Sequence, residues 1–238
     1  MNAVILAGGK GTRLAPYTTV FPKPMLPIGD KPILDTIIKQ LAYYGFDEII
    51  ISVGYLAELL QAYFENCSGL PGNVKISYVH EIHPLGTAGS LSLIPRQRES
   101  ILVMNGDTLT TVDYRQLVEY HNNNDAMITI ATHKRDVYID FGVLHTDPES
   151  KLVEYEEKPT LNYMVSMGIY VLDPSVLEHV PYNERLDFPD LVKKVMARNE
   201  KVQCYITDQY WLDIGRQDDY ANAVESFEKM KSTLLRKD

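Results

Sequence analysis

Short unbroken apolar runs alternate along this chain with longer stretches whose apolar residues recur at helical spacing. Residues 3–7 form a continuous apolar run, as a strand covered on both faces requires. Pro32 can open a helix on which Ile33, Leu34, Ile37, Ile38 and Leu41 share one face, and Gly45 is placed to end it. Strands are expected at 49–53, 74–79, 101–104 and 126–132, with helices over 56–64 and 112–121 and a short one over 87–93. This βα repetition predicts an α/β fold: a mostly parallel, Rossmann-like sheet with helices on both faces.

The pattern becomes more mixed in the second half. Runs 141–145 and 151–156 flank the turn-rich TDPES and read as a β-hairpin. Strands are expected over 166–172 and 202–206, with a short apolar run over 210–214. An amphipathic helix over 188–196 would place Leu191, Val192, Val195 and Met196 on one face. From Asp218 the pattern is helical, up to a polar tail expected to fray. No internal repeat or Pro/Gly/Ser linker interrupts the chain, so a single domain over 1–238 is expected, with a first part to about residue 112 and a second part carrying inserted strands.

Composition narrows the class. A chain of 238 residues can bury a sizeable core, and 45% hydrophobic with 23% charged residues is the mix of a soluble globular protein. The net charge of −9 argues against nucleic acid as a partner but leaves room for a locally basic pocket. Cys67 and Cys204 lack metal-ligand or CxxC spacing and read as two core thiols, and the six histidines show no metal spacing either. The absence of a disulfide framework fits a reducing cytoplasm. The chain opens directly on its first apolar run, without a basic leader, and no apolar stretch is long enough to span a bilayer. A cytoplasmic protein without membrane attachment is therefore expected.

The chemistry starts in AVILAGGKGTRLAPYTTVFPKPMLPI, residues 3–28. Gly8, Gly9 and Gly11 follow the first strand, where ligands of α/β sheets bind, and would let backbone N–H groups approach an anion. The spacing is wrong for a Walker A loop, and GxGxxG fails because its last position is Leu14. What remains is a phosphate-cradling loop of another kind, with Arg13 suited to bidentate grip and Lys23 to a point charge. LAGGKGTRLAPYT followed by FPKPMLPIGDKPIL resembles the signature of the sugar-1-phosphate nucleotidylyltransferases, and further motifs run through most of the chain in that family's order. The resemblance implies a nucleotide-diphospho-sugar transferase fold. It also implies an enzyme that joins a nucleoside triphosphate to a sugar 1-phosphate and releases pyrophosphate, for nucleotide-sugar use such as cell-surface polysaccharide synthesis. On it, Leu6, Gly8, Gly9, Gly11 and Thr12 would hold the nucleotide, with Arg13 and Lys23 as the catalytic cations.

The same resemblance assigns the other elements. PLGTAGSL places Gly86 and Thr87 where the family contacts the base; taken alone, Thr87 reads equally as a helix cap. Asp107 in LVMNGDTL and Asp213 in YWLDIGRQDDY match the family's metal carboxylates, and Mg2+ suits two carboxylates completed by substrate phosphates. Glu157 and Lys158 in EYEEKP would read as a solvated edge by themselves. The family uses them on the sugar and its phosphate, with Gly142, Ser166 and Gly168 lining the sugar pocket.

The stretches VGYLAELLQAYF and EIHPLGTAGSL look most like mannose- or heptose-1-phosphate guanylyltransferases, which favours GTP. UTP, with a hexose or amino-sugar 1-phosphate, is the alternative. The chain ends soon after its second metal motif, without the β-helix domain of many relatives, so a homo-oligomer is compatible but not indicated. A catalytically silent sugar-nucleotide-binding regulator is the rival of another class. It should have lost one of Arg13, Lys23, Asp107, Lys158 or Asp213, and all are present.

Overall fold

The computed structural model of the chain describes residues 1–66, 70–72 and 74–235. In chain order the elements are β1 (Asn2–Ala7), β2 (Pro27–Ile28), β3 (Lys31–Pro32), α1 (Ile33–Tyr43), β4 (Glu48–Val53), α2 (Ala57–Asn66), β5 (Lys75–His80), β6 (Ile101–Asn105), β7 (Thr108–Thr110) and α3 (Tyr114–Asn123). There follow β8 (Ile128–Tyr138), β9 (Gly142–Thr146), β10 (Leu152–Glu157), β11 (Thr160–Leu172), α4 (Phe188–Met196), β12 (Val202–Thr207), β13 (Trp211–Asp213) and α5 (Gln217–Leu234).

Seven strands form one sheet in the order β12-β8-β11-β6-β1-β4-β5. Every neighbouring pair is parallel except those made by β11, which runs antiparallel to both β6 and β8. The alternation of strand side chains divides the core between the two faces. Ala3, Ile5 and Ala7 of β1 pack with buried residues of α1, α2, α3 and α5, whereas Val4 packs on the other face with Phe188, Leu191 and Val195 of α4. Burying each such large side chain contributes about 1.5–3 kcal/mol relative to leaving it in water. Parallel β1, β4 and β6 therefore end on the same edge of the sheet, and the glycine loop leaves from that edge.

Three expectations change. The 87–93 segment is a 3-10 turn over Gly89–Leu93 with no side-chain cap. Strands β8 and β11 are longer than their apolar cores, and pairing runs on from Leu172↔Ile128 to Thr160↔Tyr138 with a register shift between Ser166 and Tyr170. Beyond that shift the ribbon leaves the core and needs no apolar alternation, so the charged HKRD stretch at 133–136 stays in strand. The antiparallel β9–β10 hairpin lies between these two strands in sequence. Finally, Cys204 is exposed on edge strand β12 rather than in the core, while Cys67 lies outside the described residues.

Candidate active site

At the end of β1 the chain turns through Gly8 and Gly9 into a 3-10 turn over Thr12–Leu14. Gly11 has φ +62°, and a Cβ there would sit 2.9 Å from the Thr18 methyl, so backbone and space both call for glycine. The Thr18 hydroxyl donates to the Gly11 carbonyl at 2.8 Å and fixes the turn. No atom approaches the position of a Cβ on Gly9, which faces open space. Gly8 is glycine for a reason the sequence hides: a Cβ would overlap the Glu81 carboxylate.

The two carboxylates meet because of strand register. β6 ends at Asn105, and short β7 begins just past Asp107. β13 pairs antiparallel with β7 so that Asp213 lies opposite Thr108, and the Ile214 amide donates to the Asp107 carbonyl at 3.2 Å. Lys23, on a 3-10 turn between two prolines, is ion-paired with Asp107 Oδ2. Asp107 Oδ1 is buried without a hydrogen-bond partner. Asp213 is exposed to the cavity, and the protein packed about it strips part of its hydration. That desolvation, with Asp107 beside it, raises its pKa, and Lys23 and Arg13 oppose the rise. Hard oxygen donors that crowd each other, one of them orphaned, beside an anion loop fit a divalent cation completed by phosphate oxygens. Among the described residues, no group of three or more His, Cys, Asp or Glu could hold a metal by itself.

The PLGTAGSL loop, residues 84–91, is built differently from the expectation. The Thr87 hydroxyl accepts from the Phe188 amide at 2.8 Å, while the Thr87 amide donates to Asp187 Oδ1 at 3.0 Å. Thr87 therefore caps α4, about 100 residues away, rather than a helix of its own. Gly86 has φ +75°, and a Cβ on it would press on Asp187 and the Leu186 carbonyl. Glu81, just past β5, accepts from the Ser52 hydroxyl at 2.8 Å and the Leu85 amide at 3.0 Å, which fixes its carboxylate in place.

These groups share one cavity of about 440 Å³, a size suited to a small ligand. Of the residues expected from sequence, Leu6, Gly8, Gly9, Gly11, Thr12, Arg13, Lys23, Gly86, Thr87, Asp107 and Asp213 line it. Glu81 and Asn105 line it as well. Neither stands out in sequence, although Glu81 heads the EIHPLGTAGSL stretch. The sugar-site candidates do not line this cavity. Gly142 makes room for the Tyr155 hydroxyl, which donates to Glu157 Oε2 at 2.9 Å on the β9–β10 hairpin. Lys158, at φ +48°, is ion-paired with Asp140 at 3.6 Å. Ser166 and Gly168 lie at the β11 register shift, where the Gly168 amide donates to Ser166 Oγ at 3.2 Å. A side chain on Gly168 (φ +72°) would collide with Asn105, so Gly168 abuts the cavity through that residue.

Comparison with known proteins shows the family. The model of the nucleotidyl transferase family matches residues 2–230. A UTP–glucose-1-phosphate uridylyltransferase of Synechocystis sp. is 33% identical over 94% of the chain, which spans 62% of that relative's length. A D-glycero-α-D-manno-heptose 1-phosphate guanylyltransferase of Aneurinibacillus thermoaerophilus is 33% identical, with 96% of this chain and 99% of the relative covered. The crystal structure of HddC from Yersinia pseudotuberculosis complexed with GMP-PN superposes with a TM-score of 0.71 at 28% identity, covering 95% of this chain and 99% of the other. With its glycine loop at the sheet edge and a family match from end to end of the fold, the chain belongs to the nucleotidyl transferase family.

Proposed function

We propose that this protein transfers a nucleotidyl group from GTP to a mannose- or heptose-like sugar 1-phosphate, giving a nucleotide sugar and pyrophosphate. The observation that carries the reading is one cavity that joins the glycine loop, Lys23 and the facing carboxylates Asp107 and Asp213. An oxygen of the sugar phosphate attacks the α-phosphorus, and the bond to the bridging oxygen of the β-phosphate breaks. Both reactants are anions, so the protein's task is positioning and charge compensation. Lys23 holds the charge that grows at the α-phosphorus, Arg13 the leaving pyrophosphate and Lys158 the incoming phosphate. Asp107 and Asp213 would hold Mg2+, which when bound supplies further charge neutralisation to the phosphates.

The preference for GTP rests on Glu81. Guanine presents two adjacent N–H donors on its pairing edge, which match a carboxylate that accepts through both oxygens. Uracil presents one donor flanked by two carbonyls, which the carboxylate repels. Each Glu81 oxygen accepts one protein hydrogen bond and keeps further acceptor capacity. UTP is the second reading, favoured by the cyanobacterial relative's name.

Pyrophosphate release from purified protein with Mg2+ tests the proposal. Four ribonucleoside triphosphates and dTTP are crossed with mannose, glucose, N-acetylhexosamine and heptose 1-phosphates. Release with GTP and one sugar phosphate, abolished by chelation, is expected. Sugar-nucleotide binding by folded protein without any release would favour the silent-regulator reading.

A further inference from the structure

We propose that Asp187 is a positioning residue for the nucleotide, which holds the 84–91 loop and Glu81 in place from outside the cavity; this rests on the nucleotidyl-transfer reading above. Segment 183–188, about 100 residues farther along the chain, runs beside that loop and takes up its polar backbone. The Leu186 amide donates to the Leu85 carbonyl at 2.9 Å, and the Leu186 carbonyl accepts from the Ala88 and Gly89 amides at 2.9 and 3.0 Å. The Thr87 amide adds its bond to Asp187 Oδ1, and the Asn183 amide donates to Ser92 Oγ at 3.0 Å. This clasp accounts for two glycines of PLGTAGSL. A Cβ on Gly86 would stand 2.6 Å from Asp187 Oδ1 and 2.7 Å from the Leu186 carbonyl oxygen, and one on Gly89 would stand 2.4 Å from the Glu184 carbonyl oxygen. Both positions are bare so that the clasp can close, independently of any ligand.

Asp187 turns its side chain to the loop rather than to its own helix. It stands at the N-cap position of α4, where an aspartate ordinarily accepts from the first turn. Among the described residues it makes no such bond, and the Thr87 hydroxyl caps α4 in its stead. Asp187 Oδ2 lies 3.6 Å from Arg185, which leaves Oδ1 to Thr87. The clasp reaches the groups proposed to meet the nucleotide. Gly86 and Thr87 line the cavity themselves. Leu85, whose carbonyl accepts from Leu186, donates its own amide to Glu81 Oε2, so one residue passes the restraint on to the carboxylate proposed to read guanine. At the other end Phe188 is buried, with its ring stacked on Tyr170 of β11 at 3.8 Å and 4°. The loop is thus tied to a fixed element. Binding groups need their surroundings to hold them within about 0.5 Å of the productive geometry, and this clasp supplies that support.

The test compares wild type with Asp187→Ala, Asp187→Ser and Asp187→Asn, after circular dichroism has verified their folding. Asp187→Asn keeps an acceptor oxygen for the Thr87 amide. Asp187→Ser can still cap α4, but its oxygen ends one bond short of Thr87. It therefore separates the clasp from helix capping and decides the matter should Asp187→Ala fail to fold. Asp187→Ala and Asp187→Ser should raise the KM for the nucleoside triphosphate about tenfold, as losing one charge-assisted hydrogen bond does, and Asp187→Asn should keep it within about twofold of wild type. The kcat and the KM for sugar 1-phosphate should stay within about twofold throughout. An unchanged nucleotide KM in folded Asp187→Ala or Asp187→Ser would overturn the proposal and leave Asp187 to the scaffold alone. A rise in the sugar 1-phosphate KM instead, or Asp187→Asn as impaired as Asp187→Ala, would overturn it too. If wild type turned over no substrate pair, the nucleotidyl-transfer reading would fail by itself, and calorimetric titration with GTP and UTP would still decide. Binding weakened by Asp187→Ser and kept by Asp187→Asn upholds the positioning role, and equal binding in all variants, or none in wild type, ends it.

Discussion

Lys23 is ion-paired with Asp107, 84 residues along the chain, and both side chains are less than one-fifth exposed. The pair fixes a cation at the floor of the cavity beside the end of β6 and satisfies one oxygen of Asp107 while the other stays unpaired. In the proposed reaction, a cation held there in advance would cost little to reorganise when charge develops at the α-phosphorus. Lys23→Ala should therefore lower kcat by about 10²–10³, the roughly 2.7–4 kcal/mol lost with one preorganised donor, with an unchanged far-ultraviolet circular dichroism spectrum. Steady-state kinetics checks this, and normal turnover in the folded variant would remove Lys23 from the mechanism.

Thr87 separates structural from binding roles in the loop proposed to meet the base. Its hydroxyl already accepts from Phe188 at the start of α4. Thr87→Val should cost about 1 kcal/mol of stability, as losing a cap does, and lower Tm by about 2–4 °C for a chain of this size. The KM for the nucleotide should barely move. A large KM increase at unchanged Tm would return the hydroxyl to the ligand.

Glu81 tests base choice. Glu81→Gln replaces one acceptor with a donor while keeping the shape, so the ratio of kcat/KM for GTP over UTP should fall by about tenfold or more, the penalty of a mismatched polar contact. Competition between the two triphosphates in one reaction measures the ratio directly. A ratio that did not change would dissociate Glu81 from the base.

His121 gives the fold a pH dependence. It is buried on α3 with Nδ1 2.9 Å from the Thr129 hydroxyl, and desolvation lowers its pKa below the ordinary 6.5, against a smaller raising effect of Asp173. As pH falls below 6.5, the unfolded chain takes up this proton before the folded one, so stability is lost from there down through the folded pKa. Urea denaturation at pH 7.5 and at pH 5.5 should show that loss, and His121→Asn should shrink it.

Much of this was legible in the sequence because local pattern determines it. The apolar runs that became β1, β4 and β6 are buried on both sides, and their alternation with α1 and α2 leaves little choice but a parallel sheet. Gly11 was readable as part of a glycine cluster just past the first apolar run, where bare backbone can approach an anion. Other features depended on partners far away in sequence. The antiparallel course of β11 follows from where the hairpin returns the chain, and the meeting of Asp107 with Asp213 follows from the β7–β13 register. Glu81 does not stand out in sequence because its setting is made by Gly8, Ser52 and Leu85. Cys204 looked like a core thiol because nothing local marks β12 as an edge strand.

In the proposed function, this cavity passes a nucleotidyl group to a sugar phosphate. Phosphorus-31 NMR of GTP, mannose or heptose 1-phosphate and Mg2+ with the purified protein tests it most directly. A pair of coupled diphosphate doublets from the nucleotide sugar is expected, growing together with pyrophosphate and only when all components are present. Intact GTP in every mixture of folded protein, or GTP cleaved at a rate indifferent to the sugar phosphate, would contradict it.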